Sequence, residues 1–247
     1  STSDEWTARF QREVQLASQL SHPNTITIYD YGSGANSEFW YAMEYLEGLS
    51  LADLVERYGP VPPARTAYIL RQVCASLWEA HSCGLVHRDI KPQNVMLCDI
   101  RGERDLTQAM RILGTPLYMS PERIRHPGDA DARADIYALG AVGFHLLTGK
   151  RLFETETDHD LTYQVLHVVP PLASSCSPFA VPAELDALIG RCVEKDPAAR
   201  PQNIAEVASA LDGVLVHLPW TRPQIDAWWS KHWVPEDHPE RRFSSRA

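Results

Sequence analysis

The sequence has few cysteines and an excess of acidic over basic residues. Its five cysteines are an odd number and none stands in a Cys-x-x-Cys pair, which argues against a disulfide framework and a cysteine zinc site. We therefore expect reduced thiols and a cytoplasmic protein. Lys and Arg total 23 against 32 Asp and Glu, a formal net charge of −9. This balance argues against nucleic acids and anionic membranes as partners.

Long apolar runs are also missing. The longest nearly apolar stretch, 138–147, contains His145 and is shorter than the about 20 residues that cross a bilayer. The first ten residues carry Asp4 and Glu5 and no apolar core, so we expect neither a signal peptide nor a membrane contact in this segment. The 247 residues suffice for one large domain or two small ones with a real core.

Apolar periodicity divides the chain into a small strand-bearing part and a larger helical part. A helical pattern comes first, and two strand-like runs follow at 25–31 and 38–45. Pro62 and Pro63 then open a long helix. Residues 135–149 are apolar nearly all round, which is typical of a helix in the middle of a domain.

Residues 87–94 read His-Arg-Asp-Ile-Lys-Pro-Gln-Asn. This matches the H-R-D-x-x-x-x-N pattern of the catalytic loop of protein kinases. Phosphoryl transfer needs a carboxylate that orients the attacking hydroxyl and accepts its proton, and groups that neutralise the phosphate oxygens. Asp89 suits the first task, Lys91 would place a charge on the moving phosphoryl group, and Asn94 would hold a magnesium ion.

Further motifs follow in the order that protein kinases have them. Residues 114–122, Gly-Thr-Pro-Leu-Tyr-Met-Ser-Pro-Glu, resemble the substrate-binding loop and A-P-E element, with Ser120 in place of Ala. Residues 135–140 resemble the start of the central buried helix. Arg200 resembles the arginine that pairs with the A-P-E glutamate, here Glu122. Together these motifs identify the family.

The resemblance runs from the first helix to about residue 218. The sequence of residues 114–122 is most similar to that of bacterial kinases of eukaryotic type. It implies an α+β, bilobal fold with an incomplete small N-lobe (1–46), a mainly helical C-lobe (47–218) and a Trp-rich C-terminal extension (219–247). Serine/threonine specificity is implied by Lys91 and Thr115, which stand where such kinases carry lysine and threonine. The implied cofactors are ATP and Mg²⁺ or Mn²⁺, and the partners are protein substrates, the kinase itself included.

The resemblance also implies roles for single residues. Glu13 would pair with a strand-3 lysine, although a solvated helix charge is the alternative. Arg88 suggests control by a phosphorylated activation loop, and Asp135 would accept hydrogen bonds from the catalytic-loop backbone, or simply cap its helix. Nucleotide contacts are implied for the gatekeeper Met43, the backbone of Glu44 and Leu46, and Met96 beneath the adenine; ordinary strand packing is the alternative. Thr107 lies where such kinases carry activating phosphates, and a plain loop threonine is equally consistent.

Three parts of the kinase pattern do not appear. No G-x-G-x-x-G loop or strand-3 lysine precedes the first helix, and no D-F-G stands between Asn94 and Gly114. Asp105 is followed by Leu-Thr, so residues 105–107 are not a variant of the D-F-G motif. Either stretches before the first residue and next to Asp105 are missing from the printed residues, or the molecule is a pseudokinase that acts as a binding or scaffold module. The intact catalytic loop favours the enzyme.

The tail beyond residue 218 holds four of the seven tryptophans. Ile225, Trp228, Trp229 and His232 fall at i, i+3, i+4 and i+7, which predicts a short helix with one aromatic face. Because large indoles are rarely left in water on a monomer, we expect this helix to pack back onto the C-lobe. The alternative is a linker whose tryptophans bind a partner.

Overall fold

The computed structural model describes residues 12–34, 39–98, 106–108, 116–126, 128, 130–155 and 157–232. Its strands form a two-stranded antiparallel sheet of β1 (Ile28–Ser33) and β2 (Phe39–Met43), and a three-stranded antiparallel sheet in the order β3 (Leu49–Ser50), β4 (Val95–Leu97) and β5 (Leu106–Gln108). The first sheet confirms the two predicted strand runs, each with shifted bounds.

Helices make up most of the described chain. They are α1 (12–17), α2 (Leu51–Tyr58), α3 (Pro63–Ser82), α4 (Pro121–Arg125), α5 (Ala132–Thr148), α6 (Asp158–His167), α7 (Ala183–Cys192), α8 (Ile204–His217) and α9 (Arg222–His232). None of the helices in the described ranges has the length and apolar character of a membrane-spanning segment.

Local signals set the helix ends. The Ser50 side chain accepts a hydrogen bond from the Asp53 N–H, and the Asp53 carboxylate accepts one from the Ser50 N–H, so α2 begins with a capping box. Gly84 follows the end of α3 with φ of 75°, a left-handed conformation that glycine adopts at little cost. Both signals act within a few residues of the helix end.

Helix α5 lies in the middle of the core. Its Tyr137 and Phe144 are among the largest fully buried side chains, and α3, α7 and α8 all contact it. A Cβ on Gly140 would lie 2.5 Å from the Cβ of Cys192 on α7. This close approach of two helices therefore requires glycine at position 140.

The N-cap of α5 is Asp131, whose side chain accepts a hydrogen bond from the Arg133 N–H. The helix therefore begins before Asp135, and the alternative that Asp135 caps it is wrong. Asp135 lies inside the first turn, where its carboxylate is directed at a neighbouring loop instead.

The tail helix α9 packs on the same core, as predicted. Trp229 is only 8% exposed and belongs to the main apolar cluster, while Trp228 and Ile225 are partly buried against it. The Tyr58 hydroxyl donates a hydrogen bond of 3.0 Å to the carbonyl of His232. Within the described ranges the tail is therefore part of the folded unit rather than a free linker.

We expect Trp229→Ala to lower the melting temperature by roughly 10 °C. Loss of a buried indole costs about 3–5 kcal/mol, and each kcal/mol moves the midpoint by about 2–4 °C in a domain of this size. Differential scanning calorimetry measures the shift. Trp78→Ala is the matched control, because Trp78 is 59% exposed.

Truncation after Leu218 should destabilise the protein at least as much as Trp229→Ala. A shortened protein with an unchanged melting temperature would favour the alternative that the tail tryptophans bind a partner.

Candidate active site

The loop between α3 and β4 brings three polar side chains together. The Asn94 amide donates hydrogen bonds to the backbone carbonyl of Asp89 (2.8 Å) and to its Oδ2 (2.7 Å). The Lys91 ammonium lies 3.0 Å from the same Oδ2, and both side chains of this pair are about nine-tenths buried. The cluster thus holds a carboxylate beside a positive charge. The other oxygen, Oδ1, receives no hydrogen bond from the described residues.

The backbone just before Asp89 is strained. Arg88 has φ of 63°, and it is the one described non-glycine residue with a positive value. Such a conformation costs of order 1–3 kcal/mol and persists only where the surroundings hold it. The N–H groups of His87 and Arg88 both donate to the Asp135 carboxylate, each at 2.8 Å. The central helix α5 therefore fixes the backbone that presents Asp89.

Two histidines surround the Asp135 carboxylate. His81 Nε2 lies 2.9 Å from Oδ2. Burial alone raises the pKa of Asp135, but the hydrogen bond to His81 and the nearby charges of His87 and His81 outweigh it, so the pKa lies below its usual value. Burial lowers the pKa of His87. No pattern in the sequence pointed to His81, because a lone histidine near a helix end belongs to no motif.

A second residue that sequence reasoning missed is Arg123 on α4. Its guanidinium donates a hydrogen bond to the carbonyl of Arg88. Arg88 is thereby held from both sides, at its N–H by Asp135 and at its carbonyl by Arg123. Burial lowers the pKa of Arg123, and the neighbouring Asp135 opposes this effect. The contact links the segment after the substrate-binding loop to the catalytic loop.

The side chain of Glu13 on α1 contacts the catalytic loop. Its carboxylate forms an ion pair with the Arg88 guanidinium, and both side chains are about 70% buried. The predicted partner is absent from the printed residues, and α1 places Glu13 within reach of the catalytic loop. The pairing of Glu13 with a strand-3 lysine stays a prediction. The structure shows a contact of Glu13 with Arg88, the residue predicted to bind a phosphorylated activation loop.

Glu44 and Leu46, whose backbone is predicted to contact the nucleotide, lie in the segment that connects β2 to β3. The Glu44 N–H donates to the Thr27 carbonyl at 2.9 Å, whereas no described residue occupies the N–H of Leu46. A Cβ on Gly48 would lie only 2.1 Å from the carbonyl oxygen of Leu97. Glycine at this position therefore lets the chain cross β4 at close range, which is a requirement that the sequence alone did not reveal.

The two methionines that are predicted to contact the nucleotide lie in different sheets. Met43 ends β2 and is 41% exposed. Met96 occupies the middle strand of the other sheet, opposite Ser50 on one side and Thr107 on the other. Thr107 is thus in strand β5 rather than in an open loop, because Leu106–Gln108 pairs with the edge of β4. Thr115 lies outside the described residues.

Glu122 and Arg200 form a bidentate ion pair. The two guanidinium nitrogens Nη1 and Nη2 donate to the two carboxylate oxygens, both at 2.8 Å. The Arg200 side chain is fully buried, and it also donates to the carbonyls of Glu194, Arg133 and Lys195. Burial alone raises the pKa of Glu122, but the Arg200 hydrogen bonds and charge lower it below its usual value.

The described residues supply only part of a divalent-metal site. Mg²⁺ is normally held by one or two carboxylates with substrate phosphates. Asn94 offers an amide oxygen, but no cluster of three or more His, Cys, Asp or Glu suited to a metal occurs in the described ranges. The sequence is continuous from Asn94 to Thr115 and contains no Asp-Phe-Gly, so no stretch is missing next to Asp105. The residues therefore do not complete such a site, and we derive no step through a metal.

Comparisons with known proteins agree with this geometry. The family model described as "Protein kinase domain" matches residues 1–211. Serine/threonine-protein kinase pkn3 of Myxococcus xanthus is 35% identical over 235 residues, covering 86% of this chain and 43% of that protein. PknB of Mycobacterium leprae is 34% identical, covering 88% of this chain and 37% of that protein.

Among solved structures, the PknI kinase domain of Mycobacterium tuberculosis superposes with a TM-score of 0.70 at 31% identity, covering 85% of this chain and 79% of that one. The small strand-bearing part and the helical part seen here thus match a kinase domain known from a crystal. The chain spans about two fifths of the length of the two curated relatives.

Proposed function

Because this chain belongs to the protein kinase domain family, we propose that it is a serine/threonine protein kinase that transfers the γ-phosphate of ATP to serine and threonine hydroxyls of proteins, its own included. The observation that carries the proposal is the cluster of Asp89, Lys91 and Asn94. These three side chains meet around one carboxylate, which is an arrangement with a chemical use in phosphoryl transfer.

The two oxygens of the Asp89 carboxylate have different surroundings. Asn94 and Lys91 both contact Oδ2, which leaves Oδ1 to accept the proton of the substrate hydroxyl. The ammonium group of Lys91, which contacts Oδ2, would also contact the phosphoryl group and neutralise its negative charge during transfer. Because phosphoryl transfer depends mostly on positioning and electrostatics, a rigid loop around Asp89 serves it directly.

The nucleotide would bind along the segment after β2. The N–H of Leu46 and the backbone of Glu44 offer hydrogen bonds to adenine, with Met43 beside the ring and Met96 below it. Protein kinases use ATP with a divalent metal, which neutralises the phosphates when it is bound. We propose Asn94 as one residue ligand of Mg²⁺ or Mn²⁺ here. Arg88 and Thr107 remain proposed regulatory positions.

The alternative of a pseudokinase gains no support from the relatives, which are named serine/threonine-protein kinases. The missing D-F-G makes the direct assay decisive. Purified chain with labelled ATP and either Mg²⁺ or Mn²⁺ should label itself or a generic protein substrate. Phosphoamino acid analysis should give phosphoserine and phosphothreonine. Nucleotide binding without any transfer would contradict the proposal and restore the scaffold alternative.

Arg123→Gln should lower kcat about tenfold and leave KM for ATP nearly unchanged. The substitution removes the hydrogen bond that holds the strained carbonyl of Arg88, so Asp89 is presented less often in its productive position. Steady-state kinetics on a protein substrate measures both constants. Arg125→Gln is the control, because Arg125 is exposed on the same helix. An unchanged kcat would show that Asp135 alone fixes the loop.

The five cysteines are free in the structure, which supports the proposal of a reducing, cytoplasmic compartment. We propose proteins with exposed serine or threonine as partners, and keep the boundaries 1–46, 47–218 and 219–247 for N-lobe, C-lobe and extension.

A further inference from the structure

The side chain of Arg65 on α3 is buried, and none of the described residues supplies a counter-charge to it. The residue is only 7% exposed. Its guanidinium stacks on the ring of Trp228, 3.7 Å from the centroid, and lies 5.8 Å from the centroid of Trp220. The chain thus brings two tryptophans of the tail over one buried cation.

The aromatic contacts do not replace an anion. Among the described residues, no carboxylate forms an ion pair with Arg65 and no acceptor takes a hydrogen bond from it. Stacking on an aromatic ring recovers only part of the free energy that an unpaired ion loses on burial. Burial lowers the pKa of Arg65 to about 10, opposed only by the nearby Tyr58. An anion placed here would therefore be stabilised strongly.

A cavity lies directly beside this cation. It has a volume of about 30 Å³ between α3 and α9, and its wall includes Arg65, Tyr68, Gln72, Trp220, Ile225 and Trp228. No acidic residue lines it in the described part of the chain. A site for one water needs about 10–15 Å³, so the space has room for the carboxylate group of a ligand. The cavity is partly open, so a short carbon chain can extend from it.

A second hydrogen-bond donor borders the same cavity. The Gln72 amide oxygen accepts a hydrogen bond from the Asn24 side chain at 3.4 Å, which fixes the orientation of the amide. Its nitrogen, Nε2, is buried and has no hydrogen-bond partner in the described residues. Buried amide groups are almost always satisfied, so this donor indicates an acceptor that the described residues do not supply.

We propose that this cavity binds the carboxylate of a small organic acid. The planar carboxylate would accept hydrogen bonds from Arg65 and Gln72, and its short carbon chain would lie against Trp220 and Ile225. A single guanidinium matches one negative charge and a fork of two oxygens. A phosphate dianion would carry more charge than this site balances, and the apolar wall favours a carbon body over an inorganic ion.

Propionate is the probe that matches the cavity, and the full 247-residue chain is the protein to use. Titration followed by tryptophan fluorescence and calorimetry, with ionic strength held constant by sodium chloride, should show saturable binding. Propionamide is the neutral analogue and should bind at least tenfold more weakly, a difference of about 1.4 kcal/mol. Binding does not depend on phosphoryl transfer, so the result is independent of the proposed function.

Variants locate the site. Arg65→Gln should weaken propionate binding at least tenfold, whereas Arg57→Gln, which changes an exposed arginine of α2, should leave it unchanged. If Arg65→Gln fails to fold, Gln72→Leu provides the second test and should weaken binding severalfold. Lack of saturation, equal binding of propionamide or inorganic phosphate, or unchanged affinity in both cavity variants would overturn the proposal.

Discussion

Asp89→Asn should reduce phosphoryl transfer by about 10³-fold or more while the protein still folds and binds nucleotide. The amide keeps the shape of the side chain but is a far weaker base, and general-base catalysis contributes about 10²–10⁴-fold. Asn94 and Lys91 contact Oδ2 of this carboxylate, so the substitution also removes the charge that positions the lysine. Labelled ATP measures transfer, and a fluorescent nucleotide measures binding.

Asp226→Asn is the matched control for this experiment. Asp226 is an exposed residue of α9 in an i,i+4 pair with Arg222, and its neutralisation should change neither transfer nor binding. Undiminished transfer by Asp89→Asn would remove Asp89 from the catalytic assignment. Loss of nucleotide binding together with transfer would show that the substitution disturbs the fold of the loop rather than the chemistry.

Arg200→Leu should destabilise the protein by about 3–5 kcal/mol, because it leaves the Glu122 carboxylate partly buried without its partner. The midpoint of thermal unfolding should fall by roughly 10 °C. The large effect follows from the number of contacts: the Arg200 guanidinium bonds to both Glu122 oxygens and to three backbone carbonyls. Calorimetry at neutral pH measures the change.

The same pair predicts a pH dependence of stability. The pKa of Glu122 is lowered in the folded protein, so the pair stabilises the fold above the unfolded pKa of about 4.5 and this contribution is lost as the pH falls through the lower folded pKa. Arg200→Leu should therefore flatten the acid side of the stability profile. Arg222→Leu, which breaks an exposed ion pair, should alter neither the stability profile nor the melting temperature. An equal effect of the two substitutions would mean that the buried pair stabilises the fold no more than an exposed pair.

Local signals made part of this structure predictable. The capping box at Ser50, the glycine after α3 and the apolar run of α5 each act within a few residues, so their physical effect is visible in the sequence. The catalytic loop is equally local, since Asp89 and Asn94 are five residues apart. The aromatic face of α9 predicted burial, although not the surface that covers it.

The contacts that were not predicted involve partners distant in sequence. Glu13 contacts Arg88, 75 residues away. Thr107 joins a strand because the edge of β4 is available to it. Neither outcome is encoded in the neighbouring residues, since it depends on which element the fold places alongside.

By itself, the sequence determined the family and the composition of the catalytic cluster, because these depend on residue types at fixed short spacing. Only the tertiary structure decided that the strained Arg88 is hydrogen-bonded at its N–H by Asp135 and at its carbonyl by Arg123. These partners are 47 and 35 residues away in the sequence. It alone also placed the buried guanidinium of Arg65 against the tail tryptophans Trp220 and Trp228. Burial and through-space contact are properties of the packed chain, and no local pattern carries them.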